Sequence, residues 1–325
     1  MHLPGITLTI VGDYTNKSIK ANESGRWDAT AKGPVTVTPI SADYSFEPAS
    51  QKFSETENYF TFRATRITYT AQGKIVDDQG LGIEGTEITV TGDTNDEVVT
   101  DSAGNWKVSC FGSVEIKPKL ADFTFQPASI EVTGNKDNIK FTGKHRYFSG
   151  SGSANSPFLI RNAEQLNMIR NYSGKHFKQT AHIDLSSYRS GKGWQPIGDG
   201  NRYFYVSYDG NGYEIRNLKI NRPTEEYIGL FAYLYQSDLR NITLKNASLS
   251  GESYVGPLAG KLGRSIIENC KASGKATGKG EETYVGGLVG RQAYGTITSS
   301  YTSGTVNGTD IVGGLVGSVD QNSDP

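Results

Sequence analysis

The sequence predicts an all-β chain: two tandem β-sandwiches followed by a parallel β-helix with a short capping helix at its N-terminal end. Three observations lead there. A glycine-bearing heptapeptide recurs toward the C-terminus. It reads Tyr-Val-Gly-Gly-Leu-Val-Gly at 284–290, Ile-Val-Gly-Gly-Leu-Val-Gly at 311–317, Tyr-Val-Gly-Pro-Leu-Ala-Gly at 254–260, and Tyr-Ile-Gly-Leu-Phe-Ala at 227–232. The starts are 27, 30 and 27 residues apart, a period at which each unit buries its apolar face only against its neighbours. The first 146 residues contain a duplication at an offset of 79. The composition, with 39 Gly, 18 Tyr and 2 Met in 325 residues, favours strands and turns over helices.

The duplicated modules come first in the chain. Gly25-Arg-Trp27 matches Gly104-Asn-Trp106, and Val35–Pro39 matches Val114–Pro118. Ala42-Asp-Tyr-Ser-Phe-Glu-Pro-Ala-Ser50 matches Ala121-Asp-Phe-Thr-Phe-Gln-Pro-Ala-Ser129. Ile6–Asp13 matches Thr86–Asp93 at an offset of 80. Val35 and Val37 point one way and Thr36 and Thr38 the other, the period of half-buried antiparallel strands. Several such strands in 75–80 residues read as a small sandwich. Trp27 and Trp106 are expected to anchor the two cores, with Phe46 and Phe125 filling them. Pro48 and Pro127 mark an edge or a turn, because proline cannot donate to an interior ladder.

The second module opens with Gly73-Lys-Ile-Val-Asp-Asp-Gln-Gly-Leu-Gly82, which has no counterpart in the first. The first strand of copy one is therefore expected to lie outside this sequence, leaving an open sheet edge or a gap filled by other residues. Together with Thr100-Asp-Ser-Ala-Gly-Asn-Trp106, this stretch resembles the carboxypeptidase-regulatory-like, prealbumin-type Ig-like repeats of exported bacterial proteins. The expected modules are 1–66 and 67–146, with the β-helix over 147–325.

Residues 144–157 are rich in Gly and Ser and read as a linker. Phe158-Leu-Ile160 reads as a strand. Asn162 is placed to cap a helix over Ala163–Tyr172, with Leu166 and Ile169 on one face. That helix is expected to cover the end of the solenoid. His182–Leu185, Gly193-Trp-Gln-Pro-Ile-Gly198 and Phe204–Tyr208 followed by Asp209-Gly-Asn-Gly-Tyr213 then form less regular first coils. In the later repeats a second apolar stretch (239–242, 266–270, 297–301) and a third ending in glycine (248–251, 275–278, 305–308) give three short strands per coil. Glycine is expected at the corners. Cys270 aligns with Ile242 and Tyr301 as a core filler, and Cys110 aligns with Ala31. The Val-Gly-Gly-Leu-Val-Gly units resemble the GLUG repeat of secreted and surface proteins, which implies a right-handed parallel β-helix and little about chemistry. The last repeat starts at 311, half a turn before the end, so the solenoid is expected to continue past 325.

Formal net charge is −1, with no basic block, which argues against nucleic-acid binding. No apolar run is long enough to span a membrane. Met1–Gly5 lacks the pattern of a signal peptide, so Met1 reads as an expression start and the export signal as lying elsewhere. Two cysteines 160 residues apart fit neither a disulfide framework nor a metal site.

No catalytic residue or cofactor is assigned. His2, His145, His176 and His182 lie in no nucleophile or zinc motif and read as solvated or structural. Polysaccharide lyases and hydrolases on β-helices need converging carboxylates or a basic residue; the nearest candidates are Asp199, Asp209, Glu225 and Glu226. Asp209 reads as a turn former and Glu225–Glu226 as a solvated pair. Asp77-Asp78 and Asp93–Asp96 lack calcium-loop spacing and read as polar hairpin loops, so no metal site is assigned. Tyrosines carry the binding reading. Period two turns Phe204, Val206 and Tyr208 inward and Tyr203 and Tyr205 outward. Tyr227, Tyr254 and Tyr284 should stack as an external ladder. Tyr203, Tyr205, Tyr227, Tyr254 and Tyr284 are the candidate ligand-binding residues, for a glycan or protein partner of a secreted or cell-surface protein. The same ladder can instead serve only to stabilise successive coils. A polysaccharide-active enzyme and an accessory region of a large exported peptidase are the alternatives.

Overall fold

The computed structural model describes residues 3–54, 59–200 and 202–320. His2, and the end of the chain after Asp320, lie outside the described residues. The chain forms two compact units. One comprises residues up to Val76 and Gly82–Gly143; the other comprises Asp77–Leu81 and the chain from Lys144.

The first unit contains the duplication. Copy one has strands β1 (Thr7–Gly12), β2 (Thr15–Lys20), β3 (Val35–Ile40), β4 (Tyr44–Glu47), β5 (Gln51–Phe53) and β6 (Arg63–Arg66). Copy two has β7 (Tyr69–Val76), β8 (Glu87–Gly92), β9 (Asp96–Val99), β10 (Asn105–Cys110), β11 (Val114–Lys119), β12 (Phe123–Gln126), β13 (Ile130–Val132) and β14 (Lys136–His145). The sheet β2-β1-β3-β5 repeats strand for strand as β9-β8-β11-β13. Inward apolar residues alternate with outward polar ones, as in Val35 and Val37 against Thr36 and Thr38. In copy two a second sheet, β10-β7-β14-β12, closes the sandwich. Ile75, Ile88, Trp106, Ile116 and Phe141 form its core.

Copy one differs where β7 would stand. Among the described residues its second sheet consists of β4 and β6, and 26–31, the counterpart of β10, is not a strand. β10 pairs in copy two with β7 and no other strand, so without that strand the equivalent segment has no ladder to join. Trp27 is therefore half-buried, packed on the edge of the core of Leu8, Ile10, Val35 and Val37. Phe46 and its counterpart Phe125 in copy two are both half-buried rather than core-filling.

The second unit winds as parallel coils with three faces. One face runs from Phe158–Ile160 through Lys175–Gln179, Val206–Asp209, Asp238–Arg240, Ala259–Glu268 and Val289–Thr298 to Val316–Asp320. A second runs from Ile183–Asp184 to Tyr301–Asn307. The third is the heptapeptide file Ile228, Val255, Val285 and Val312, paired coil on coil. Val255 and Val285 are fully buried; Val312, on the last described coil, is 43% exposed. The helix α1 (Ala163–Met168) continues as a 3-10 turn over Ile169–Asn171. Asn162 caps it, accepting from the Gln165 N–H, and Leu166 and Ile169 are buried.

Three sequence readings need correction. Residues 144–157 are not a loose linker. His145, Phe148 and Ser156 are buried, and the rings of His145, Phe148, Phe158, Tyr172 and Phe177 pack together. Glycine and serine there form hydrogen-bonded turns between aromatic anchors, with Ser151 and Gly152 both donating to the Ser156 carbonyl. A main corner of the coils is asparagine rather than glycine. Asn241 and Asn269 take φ of 55° and 50°, and their amides stack. Asn269 Nδ2 donates to Asn241 Oδ1 at 2.8 Å, and Asn241 Nδ2 to Asp209 Oδ1 at 2.9 Å. Asparagine tolerates the left-handed region and adds a hydrogen bond glycine cannot make. Finally, the Cys270 N–H donates to Ser300 Oγ, and it is Lys271 that pairs with Tyr301. The file is Ile242, Cys270, Ser300, and Tyr301 faces solvent. A slip of one residue changes faces.

Candidate functional site

The five tyrosines named from sequence lie on one surface, joined by two more. Phe204, Val206 and Tyr208 fill the coil interior, so Tyr203 and Tyr205 face out, as alternation requires. On the next coil Ala232 and Leu234 are inside, which turns Tyr233 and Tyr235 onto the outer face. Tyr203 stacks on Tyr235 at 4.4 Å and meets Tyr233 edge-on at 5.4 Å. Tyr205 meets Tyr235 edge-on at 6.1 Å. Tyr233 stacks on Tyr227 at 6.2 Å. From there the ladder continues through Tyr254 at 4.8 Å and Tyr284 at 5.0 Å, with planes within 14° of parallel.

Glycine makes room for these rings. A Cβ on Gly200 would lie 2.4 Å from the Tyr227 ring, and one on Gly263 2.7 Å from Tyr235. The closing glycines of the heptapeptides do the same for backbone. A Cβ on Gly260 would sit 2.5 Å from Tyr227 Cα, and one on Gly290 2.6 Å from the Tyr254 carbonyl carbon. Coils stack at strand spacing only if that position is bare.

Stacking decides what the ladder can offer. Both faces of Tyr254 are covered, by Tyr227 and Tyr284, so its ring edge is what remains for a ligand. Tyr203, at 55% exposed, is the ring most open to a partner. Beside it runs a file paired coil to coil: Tyr233, Lys261, Arg291 and Ser318. Lys261 Nζ lies 4.6 Å from the Tyr233 ring centre and 6.0 Å from that of Tyr254. Burial, then the charge of Arg291, lowers the Lys261 pKa. Arg291 lies 5.2 Å over Tyr284 and is held by Asp320 at 2.8 Å. Burial, then Tyr203 and Tyr235, pushes Tyr233 up to about 12. The patch is thus a neutral, hydroxyl-rich aromatic surface carrying an ammonium group.

The remaining sequence candidates are held in structural roles. Asp209 Oδ1 accepts from the Asn211 N–H and from Asn241. Glu225 is clamped by Lys192 and Arg222, whose hydrogen bonds lower its pKa, while Glu226 is exposed. Asp199 accepts from the Arg202 N–H. His145 Nδ1 accepts from the N–H groups of Tyr147 and Phe148, His182 Nδ1 accepts from the Glu214 N–H, and the His176 backbone N–H donates to the Gly152 carbonyl. Asp93 accepts from the Ser113 N–H. Asp77 accepts from the Gln79 and Leu81 N–H groups and from the Ser156 hydroxyl, and Asp78 from the Gly150 N–H. Among the described residues no group of three or more His, Cys, Asp or Glu could hold a metal ion, and no helix is long and apolar enough to cross a membrane.

Sequence reasoning missed Tyr233, Tyr235, Lys261 and Arg291. The signal for the tyrosines was present in Phe231-Ala-Tyr-Leu-Tyr235, where Leu234 fixes the parity. Lys261 and Arg291 need the inter-coil register, which the heptapeptide alone does not give.

Comparison with known proteins places the repeats in context. Residues 281–307 match the GLUG motif. Over 199 residues, 58% of the chain, it is 37% identical to a protein of Evansella cellulosilytica provisionally named a Gly-rich membrane protein. Over 215 residues, 62% of the chain, it is 32% identical to halomucin of Haloquadratum walsbyi. Among solved structures, one provisionally assigned as an immunoglobulin A1 protease of Bacteroides ovatus aligns over 54% of this chain and 65% of that one, at 23% identity and a TM-score of 0.41. The chain spans 22% and 2% of the lengths of the two curated relatives.

Proposed function

We propose that this chain is part of a secreted or cell-surface protein that binds rather than catalyses, with the sandwiches as spacer and the solenoid presenting a glycan or protein ligand site. The observation that carries the reading is the continuous surface of seven tyrosines with Lys261 at its centre. Tyrosine and a desolvated cation suit a partner with sugar rings or peptide amides, because each ring contributes apolar area and a hydroxyl at small entropic loss. The names of the two relatives, a membrane protein and halomucin, support a location outside the cell. The sites named from sequence keep their place in the proposal, with Tyr203, Tyr205, Tyr233 and Tyr235 as the contact area and Tyr227, Tyr254 and Tyr284 as its support.

A glycan array combined with immobilised extracellular-matrix proteins tests this. Retention of the wild type, weakened about tenfold or more by Tyr203→Ala or Lys261→Ala, is expected, the range of a centrally placed contact. Binding that neither substitution changes would move the site elsewhere. No retention on either surface would remove the function.

A further inference from the structure

Among the described residues Lys261 makes no ion pair, although it is half-buried. Its strand runs between that of Tyr233 on the coil before and that of Arg291 on the coil after. Its Nζ lies 4.6 Å from the centre of the Tyr233 ring and 6.0 Å from that of Tyr254. Two acids, Asp320 and Glu226, act on it through space without touching it. Asp320 is held by Arg291 at 2.8 Å, and Glu226 is exposed. Arg291 is occupied in turn by Asp320 and by the Tyr254 hydroxyl. Aromatic faces offset part of the hydration that an ammonium group loses. Burial, then Arg291, still lowers the Lys261 pKa, and an anion brought into contact would reverse that lowering.

The rings beside Lys261 decide what carries the anion. Tyr203 is 55% exposed, and its phenol hydrogen-bonds that of Tyr233. Tyr205, Tyr233 and Tyr235 are half-buried, while Val206 and Leu234 of the same strands are buried. What these strands expose is therefore ring and hydroxyl, with no aliphatic ground between. A pyranose meets both, its C–H groups against rings and its hydroxyls against phenols. Tyr233 touches Tyr203 on one side, at 5.4 Å, and Lys261 on the other. Resting on the binding role proposed above for this surface, we infer that its ligand is an acidic polysaccharide, with a sugar ring against Tyr203 and a uronate carboxylate on the Lys261 ammonium group. The pair forms a charge-assisted hydrogen bond in a partly desolvated place, and the neutral form of the same sugar cannot make it.

The test uses the protein with oligogalacturonate, oligomannuronate and hyaluronan fragments, each beside its carboxyl-reduced form. At least one acidic oligomer should bind about tenfold or more tighter than its reduced form, the worth of a hydrogen bond to a charged group. Lys261→Gln should remove that preference and Lys261→Arg should retain it, while Tyr203→Ala should weaken both forms alike. In an NMR titration of the wild type, the Lys261 pKa should rise with the acidic oligomer and stay put with the reduced one. That readout decides alone if Lys261→Gln does not fold. Equal binding of acidic and reduced forms would overturn the acidic ligand and leave the binding role standing. So would a preference that survives Lys261→Gln, or an equal affinity for poly-glutamate or dextran sulfate, since charge alone would then be recognised. Binding of neither form, with retention on the glycan array or matrix proteins intact, would overturn the ligand class alone. Loss of retention on every surface would overturn the binding role with it.

Discussion

At the scale of single residues, the heptapeptide is a record of where a Cβ can be tolerated. Gly290 in the solenoid and Gly134 in a sandwich turn differ in this respect: a Cβ on Gly290 meets backbone at 2.6 Å and one on Gly134 meets nothing within 4 Å. Gly290→Ala should destabilise the solenoid by about 1–3 kcal/mol, the range for overpacking a rigid site. Gly134→Ala should be neutral or slightly stabilising, by up to about 1 kcal/mol. Urea unfolding of the two variants checks the contrast, and equal losses would contradict it. The tyrosines divide the same way. Tyr254 has two stacked partners, each pair contributing about 0.5–1.5 kcal/mol, so Tyr254→Ala should lower stability by roughly 1–3 kcal/mol. Tyr203 is more exposed but still touches Tyr233 and Tyr235, so Tyr203→Ala should cost less, about 0.5–1.5 kcal/mol, while weakening ligand retention. If both variants lost only stability, the ladder would be structural throughout. The tyrosine positions were legible because alternation and repeat spacing are properties of sequence. Cys270 was misplaced by one residue because neighbouring coils differ in length, and only paired backbones fix that offset.

At the scale of elements, Tyr233 links the tyrosine surface to pH. Tyr233 sits at about 12 because burial and its neighbours disfavour the phenolate, against about 10 for an unfolded tyrosine. The folded pKa is the higher one, so the stabilisation is complete below pH 10 and is lost as pH rises from about 10 to 12. Urea midpoints should fall across this window, and Tyr233→Phe should flatten the fall. An absorbance titration should show a phenol ionising near 12 that Tyr233→Phe removes. A midpoint independent of pH between 10 and 12 would show that Tyr233 is not coupled to folding. The helix was readable from its cap and the Leu166–Ile169 spacing, both local signals. The 144–157 segment was not. Its glycines and serines are those of a linker, and only tertiary packing brings Phe148 and His145 against Phe158 and Tyr172. Composition reports local preference, and long-range aromatic contacts override it.

At the scale of the whole molecule, the division into two units follows from how each builds its core. The sandwiches enclose a shared interior between facing sheets, while the solenoid buries each coil only against the next. The architecture was legible because both plans repeat in sequence, at offsets of 79 and of 27–30 residues. What the repeats could not reveal is that residues 77–81, a loop in the middle of the duplicated region, belong to the solenoid unit. Asp77 is 1% exposed and gathers the Gln79 and Leu81 N–H groups and the Ser156 hydroxyl. Asp78 takes the Gly150 N–H. A buried carboxylate deprived of a donor loses about 1–3 kcal/mol or more. Ser156→Ala should therefore speed amide exchange at Gln79, Leu81 and Gly150, and lower the unfolding midpoint of the solenoid unit. Amides at Val108 and Ile116, in the sandwich core, should exchange as before. If instead all these amides quickened together, the two units would unfold as one cooperative body, and their separate cores would have no thermodynamic counterpart.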